Sequence, residues 1–247
     1  MPEWYRKGML KIASRLRRFV DRRIIRLQKG EERPAFYDVD ADFPALRKID
    51  ENYDTIREEL LAVMPRTNVI PRYHEIDPYQ EEVSDGTDEA WRILYLYLVG
   101  SPIQPNQAHC PRTIEIIRSI PNVMDAFFSI LEPKKCVPAH RGTTMANLRY
   151  HTAFIVPENN PPTIRVKDSF HTWKERTSVF FDDSLEHEVM NESDGPRVVL
   201  IVDVWRPLPW YLATLNLLTG WVTRQGISRE EWEEVARDRS LAPAATA

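Results

Sequence analysis

The chain has 247 residues, 43% of them apolar and 28% charged, which is enough to bury a sizeable core without a metal or disulfides holding the fold. Two cysteines, Cys110 and Cys136, argue against a disulfide framework and against a Cys₂His₂ zinc cluster. The formal net charge of -4 conceals an asymmetry: residues 1–30 carry ten Lys or Arg against two acids, leaving the remainder at about -12.

The basic start, residues 1–29, sets Met9, Ile12, Leu16, Phe19, Ile24 and Leu27 at near-helical spacing, which predicts a basic amphipathic helix. Such a helix suits a membrane surface or a partner groove, or it packs on its own domain; both readings stand. Nucleic acid is disfavoured as a partner, because the rest of the chain is acidic and lacks aromatic–basic interleaving. No apolar run approaches the ~20 residues of a membrane-spanning helix, and no signal-peptide pattern precedes the domain. The expectation is a cytoplasmic protein, with peripheral membrane association as the option the arm leaves open.

One domain is expected over 30–240, with its core over about 90–207. A helix is predicted from about Phe43 to Met64, then loop as far as Asp88. "AWRILYLYLVG" reads as one strand or two short ones ending at Gly100, and "CPRTIEIIRSIP" as a short helix with Pro111 in its first turn. From Ala126 come the strand-like segments "AFFSILEP", "NLRYHTAFIVP", "TIRVKD", "SVFFDD", "HEVMN" and "RVVLIVDVW", separated by turn residues. This succession predicts an antiparallel sandwich or barrel, so the fold class is mainly β with flanking helices. "PWYLATLNLLTGWVTR" and "SREEWEEVARDR" should close the domain as helices, the second capped by Ser228 with Glu231. Residues 241–247 read as a disordered tail.

Strand parity selects candidate site residues. In "NLRYHTAFIVP", Arg149 and His151 share a face with Ala153 and Ile155; in "RVVLIVDVW", Arg197 shares a face with Val199, Ile201 and Asp203. Both strands are apolar on both faces and therefore interior, where an unmatched Arg or His is costly. An internal ion pair, such as Arg197 with Asp203 or Arg149 with Asp182, would satisfy any one of them alone. Together, in strands flanking His140 and His187, they point to an anionic small molecule beside a metal such as iron or zinc. Asp182 and Asp183 should orient the loop that carries His187. His74, His109 and His171 read as surface or loop residues, and Trp173 as packing at a turn.

"SILEPKKCVPAHRG", "NLRYHTAFIVP", "FDDSLEHEVMN" and "RVVLIVDVWRP" together resemble the aspartyl/asparaginyl β-hydroxylase family, most clearly over Ala126 to Pro207. The resemblance implies a double-stranded β-helix (jelly roll) and an iron(II)- and 2-oxoglutarate-dependent dioxygenase. It implies His140 and His187 as metal ligands, with Gly142 standing where related dioxygenases place a carboxylate. It further implies Arg197, Ser129, Arg149 and His151 as cosubstrate-binding residues. The reaction it implies consumes O2, converts 2-oxoglutarate to succinate and CO₂, and hydroxylates an unactivated C–H bond. Substrates of this family are aspartyl or asparaginyl residues, other amino-acid-type molecules or acyl chains, so a small-molecule, carrier-bound or lipid substrate is expected. The rival is a non-enzymatic jelly-roll interaction module with a structural metal, which would have no need of Arg197.

Overall fold

A computed structural model of the protein describes residues 2–28, 30–76, 81–84 and 88–226. The second closing helix and the disordered tail expected from sequence lie outside them. Helix α1 spans Glu3–Leu27. The predicted Phe43–Met64 helix is divided: a 3-10 turn at Pro44–Leu46, α2 at Arg47–Glu51 and α3 at Tyr53–Val63. The break falls at Asn52, where φ is -107° and the side-chain amide donates to Lys48 O at 2.8 Å. That local bond competes with the helix ladder. The stretch expected as loop holds single helical turns at Tyr73–Ile76 and Glu81–Ser84.

Among the described residues ten strands follow, and those read from sequence keep their order: β1 Trp91–Leu98, β2 Ser101–Pro102, β3 Val123–Leu131, β4 Val137–His140, β5 Asn147–Ile155, β6 Thr163–Val166, β7 Ser169–Thr172, β8 Ser178–Phe181, β9 His187–Met190 and β10 Arg197–Trp205. Helix α4, Pro111–Arg118, precedes β3, and α5, Trp210–Gly226, closes the described chain. The strands form two antiparallel sheets, β2-β1-β3-β10-β5-β8 and β4-β9-β6-β7.

The large sheet is covered on both faces, which explains why its strands are apolar throughout. One face, with Phe128, Tyr150, Phe154, Leu200 and Val202, packs on Ile49, Ile56 and Leu60 of α2 and α3 and on Ile114 and Ile117 of α4. The opposite face, with Phe127, Ala153, Val199 and Ile201, packs on Ile164, Val166 and Val189 of the small sheet. Arg149, His151, Arg197 and Asp203 belong by parity to this second face, between the sheets. Strand β4 escaped the sequence reading because it is a short edge strand with a register shift between Val137 and His140.

Buried charge also ties the helices together. Glu59 of α3 accepts from the backbone N–H of Arg112 and Thr113 at 2.9 and 2.8 Å. It thereby caps α4, whose own N-cap, Cys110, makes no side-chain cap bond.

Candidate active site

His140 ends β4 and His187 begins β9, and the two are cross-strand partners with ring centroids 4.2 Å apart. Each imidazole anchors Nδ1 to the carbonyl two residues back: His140 to Pro138 O at 2.8 Å and His187 to Leu185 O at 2.9 Å. A ring that donates Nδ1–H to a carbonyl keeps Nε2 as a lone pair, the form that binds a metal. Burial lowers both imidazoles' proton affinity, that of His187 to about 3 with His140 adding to the effect, so neither competes with a metal by protonation near neutrality.

Ser129, His140, Arg149, His151, His187 and Arg197 all line one narrow crevice between the sheets. Arg197 is 2% exposed, with only the Ser129 hydroxyl within reach, at 3.3 Å, and the Trp173 ring beneath it at 4.6 Å. Its Nε and Nη1 and both ring nitrogens of His151 are buried without a protein partner. Among the described residues no carboxylate offsets this guanidinium, and burial brings it down to about 9. His151 is held neutral, well below the usual imidazole range, first by burial and then by Arg197. Ser129 Oγ accepts from Trp91 Nε1 at 2.9 Å as well as from Arg197, which leaves its own hydrogen to donate.

Arg149 sits differently. Its guanidinium forks onto Asp203, with Nε and Nη2 each 2.8 Å from a carboxylate oxygen, and Asp183 lies 3.4 Å away. Its proton affinity is raised well above the ordinary value: burial opposes this, but Asp203 and Asp183 outweigh it. It lines both the crevice and an adjoining outer cavity of about 350 Å³. The pairing of Arg149 with Asp182 considered from sequence is not made. Asp182 is instead clamped by Arg33 at 2.8 Å and Arg206 at 2.7 Å, and so fixes the loop leading to His187.

Asp183 faces the site. It lines the outer cavity with His140 and Gly142, and a Cβ placed on Gly142 would lie 2.6 Å from Asp183 Oδ2. The space for a side chain at 142 is thus taken by a carboxylate from another loop. Burial, with Asp203 nearby, raises Asp183 to about 7 against the opposing pull of Arg149. Among the described residues, no group of three or more His, Cys, Asp or Glu is arranged to hold a metal.

Sequence reasoning missed the roles of Trp173 and His171. Trp173 is buried, stacks on His151 at 5.9 Å and carries Arg197, while His171, in β7 rather than a loop, meets the edge of Trp173. Trp173 lies just past a strand end, where no periodicity marks its direction. His74 bonds Ser84, and His109 lies on the approach to α4, both away from the crevice.

The family model for aspartyl/asparaginyl β-hydroxylases matches residues 50–207. The chain belongs to the aspartyl/asparaginyl β-hydroxylase family. It is 36% identical to the ornithine lipid ester-linked acyl 2-hydroxylase of Rhizobium tropici, over 81% of this chain and 73% of that one. It is 29% identical to human aspartyl/asparaginyl β-hydroxylase over 66% of this chain, and this family member spans about a fifth (21%) of the human protein's length. Among solved structures, a predicted oxalate decarboxylase from Thermotoga maritima aligns over 37% of this β-hydroxylase-family chain and 72% of its own, at 14% identity and a TM-score of 0.29. A Cupin_2 domain of a transcriptional regulator from Enterobacter cloacae aligns over 34% of this chain and 82% of its own, at 17% identity and the same TM-score of 0.29.

Proposed function

We propose that this family member is an iron(II)- and 2-oxoglutarate-dependent hydroxylase whose substrate carries an acyl chain. The observation that carries the reading is Arg197: a buried guanidinium without a protein carboxylate, in the same crevice as two neutral imidazoles. A buried unmatched cation is costly unless an anion completes it, and a planar fork suits a carboxylate.

The residues fit the iron and its cosubstrate. His140 and His187 offer Nε2 lone pairs, two imidazoles suit a first-row transition metal, and the remaining positions are left to the cosubstrate and water. Bound iron supplies oxygen activation, with one atom of O2 entering the substrate C–H bond and the other leaving in succinate as 2-oxoglutarate loses CO₂. The chain's own work is binding and exclusion of water. Arg197 and Ser129 take the distal carboxylate of 2-oxoglutarate, and neutral His151 offers an N–H beside them. Trp173 keeps the guanidinium dry and in place.

Two findings favour an acyl substrate. The outer cavity, which His140 lines, includes Tyr73, Trp91, Tyr95, Leu98 and Phe127 in its lining beside polar residues such as Asp125, Asn147 and Asp203, so it offers apolar contact together with polar anchors. The Rhizobium tropici relative, aligned over most of both chains, is named for acyl hydroxylation. The test is anaerobic loading with iron(II), then addition of O2 and 2-oxoglutarate with an ester-linked acyl aminolipid. Succinate and a +16 product are expected, and both should vanish in His140→Ala. Succinate formation unchanged in that variant would overturn the metal assignment; succinate without lipid product would overturn the substrate.

A further inference from the structure

We propose that the outward face formed jointly by α1 and α5 is a docking surface for an anionic lipid bilayer. Helix α5 turns its large aromatic side chains outward. It buries Asn216 and Thr219 along with Leu212, Gly220 and Val222, and exposes Trp210, Tyr211, Leu217, Leu218 and Trp221, with Trp210 81% and Trp221 50% accessible. Trp210 and Leu217, and Tyr211 and Leu218, are seven residues apart, with Trp221 three and four further on, so with exposed Thr214 they share one side of the helix, and Arg224 is the helix's sole charged residue. An exposed strip of this kind marks a site of contact with something apolar.

Helix α1, packed on α5, carries an exposed apolar line of its own. It buries Ala13, Val20 and Ile24 against its neighbours and leaves Tyr5, Ile12 and Phe19 exposed, seven residues apart and hence along one line. Arg15, Arg22 and Arg23 stand within a turn of that line, and Arg23 lies over the Phe19 ring at 5.2 Å. Across Glu3–Leu27 nine Lys or Arg face two acids. Aromatic and aliphatic side chains fringed by cations complement a bilayer whose headgroups are anionic and whose boundary is apolar. Among the described residues no helix is long and apolar enough to cross a membrane, so this face would lie on the bilayer.

The two helices are set rigidly together and against the cavity mouth. A Cβ on Gly226 would lie 2.5 Å from Leu10 Cδ2, and Arg6 Nε donates to Gly226 O at 3.2 Å. On the catalytic side, Asp21 of α1 accepts from Thr144 Oγ1 at 3.2 Å and Met145 N at 3.0 Å, and Asn216 of α5 donates to Ala146 O at 2.9 Å. Thr144 and Thr223 both line the outer cavity. Asp21 and Thr223 stand about half a turn round their helices from Ile12 and Trp221, so the two helices lie between the exposed face and the cavity.

The test is sedimentation of the full chain with phosphatidylcholine vesicles with and without phosphatidylglycerol, in low and high salt and without iron. Binding is expected to the anionic vesicles, to weaken in high salt, and to fall at least tenfold in Leu217→Asp/Trp221→Asp and in Arg15→Gln/Arg22→Gln/Arg23→Gln. All these positions are exposed, and unchanged melting temperatures would show that the variants are folded. Three results would overturn the proposal: no binding of the parent chain to anionic vesicles, a dimer that the Leu217→Asp/Trp221→Asp variant dissociates, or binding that appears only after residues 227–247 are removed. The first leaves the face without a lipid partner, the second assigns it to a second copy, and the third to the chain's own end. Because the readout needs neither metal nor turnover, vesicle binding by a chain that hydroxylates no lipid would sink the acyl reading and leave this one standing.

Discussion

Arg206 and Arg197 are each 2% exposed, yet their surroundings differ completely. Arg206 is saturated: Asp182, the Met145 and Asn147 carbonyls, Gln28 and the Tyr37 hydroxyl all accept from it. Arg197 has one hydroxyl and an aromatic face. The Arg33–Asp182–Arg206 knot is built to hold the loop before His187 against the segment after α1. The crevice around Arg197 holds a charge whose stabilisation must come from outside the chain. Burial of a charge by itself does not distinguish structure from function; the state of its partners does.

That contrast can be broken first at the knot. Arg206→Met takes one of two guanidinium partners from the fully buried Asp182, leaving Arg33 and Ser184, and strands the Met145 and Asn147 carbonyls, so the loss should approach the cost of a broken buried pair, about 3–5 kcal/mol. Urea denaturation should show a loss of this size, and a change under ~1 kcal/mol would mean the knot is not what secures the loop. At the site itself, Gly142→Ala introduces a Cβ 2.6 Å from Asp183 Oδ2. Overpacking of this kind costs about 1–3 kcal/mol. The same substitution made in Asp183→Ala should cost clearly less, and strict additivity of the two changes would show that they do not compete for one space.

A smaller effect sharpens the saturated side. Burial alone would raise the Glu59 carboxyl, but hydrogen bonds from Thr113 and Arg112 outweigh it and hold it below its ordinary value of 4.5. A carboxyl depressed on folding adds stability that is fully present above its unfolded value and is lost as pH falls through the folded one. Glu59→Gln should therefore cost about 1 kcal/mol at neutral pH, the scale of a lost helix cap, and the gap to the parent chain should close in acid. A gap independent of pH would assign the effect to packing.

How far the site was legible follows from the same physics. Parity in β5 and β10 puts Arg149, His151 and Arg197 on a common face, because a strand that is apolar on both sides must be covered on both. Their meeting with His140, His187 and Ser129 depended on motif order. Parity also puts Asp203 on the face of Arg197, yet its partner is Arg149, since the antiparallel register sets Asp203 directly opposite Arg149. Register is not written in one strand. Trp173 and Asp183 were opaque for another reason: both lie outside regular strands, where spacing carries no direction. The α1 stripe was legible as amphipathic, but the turn of α5 that exposes Trp210 and Trp221 could be read only once Asn216 and Thr219 were seen on its buried side.

The most direct test of the central claim is anaerobic calorimetric titration of 2-oxoglutarate into the iron(II)-loaded protein, compared with Arg197→Met. Tight binding by the parent chain, loss of at least a hundredfold in the variant and an unchanged or higher melting temperature are predicted, since the substitution removes an unmatched buried charge. Equal affinity in both proteins, or a variant that fails only because it is less stable, would contradict the assignment of Arg197 as a charge kept for a ligand.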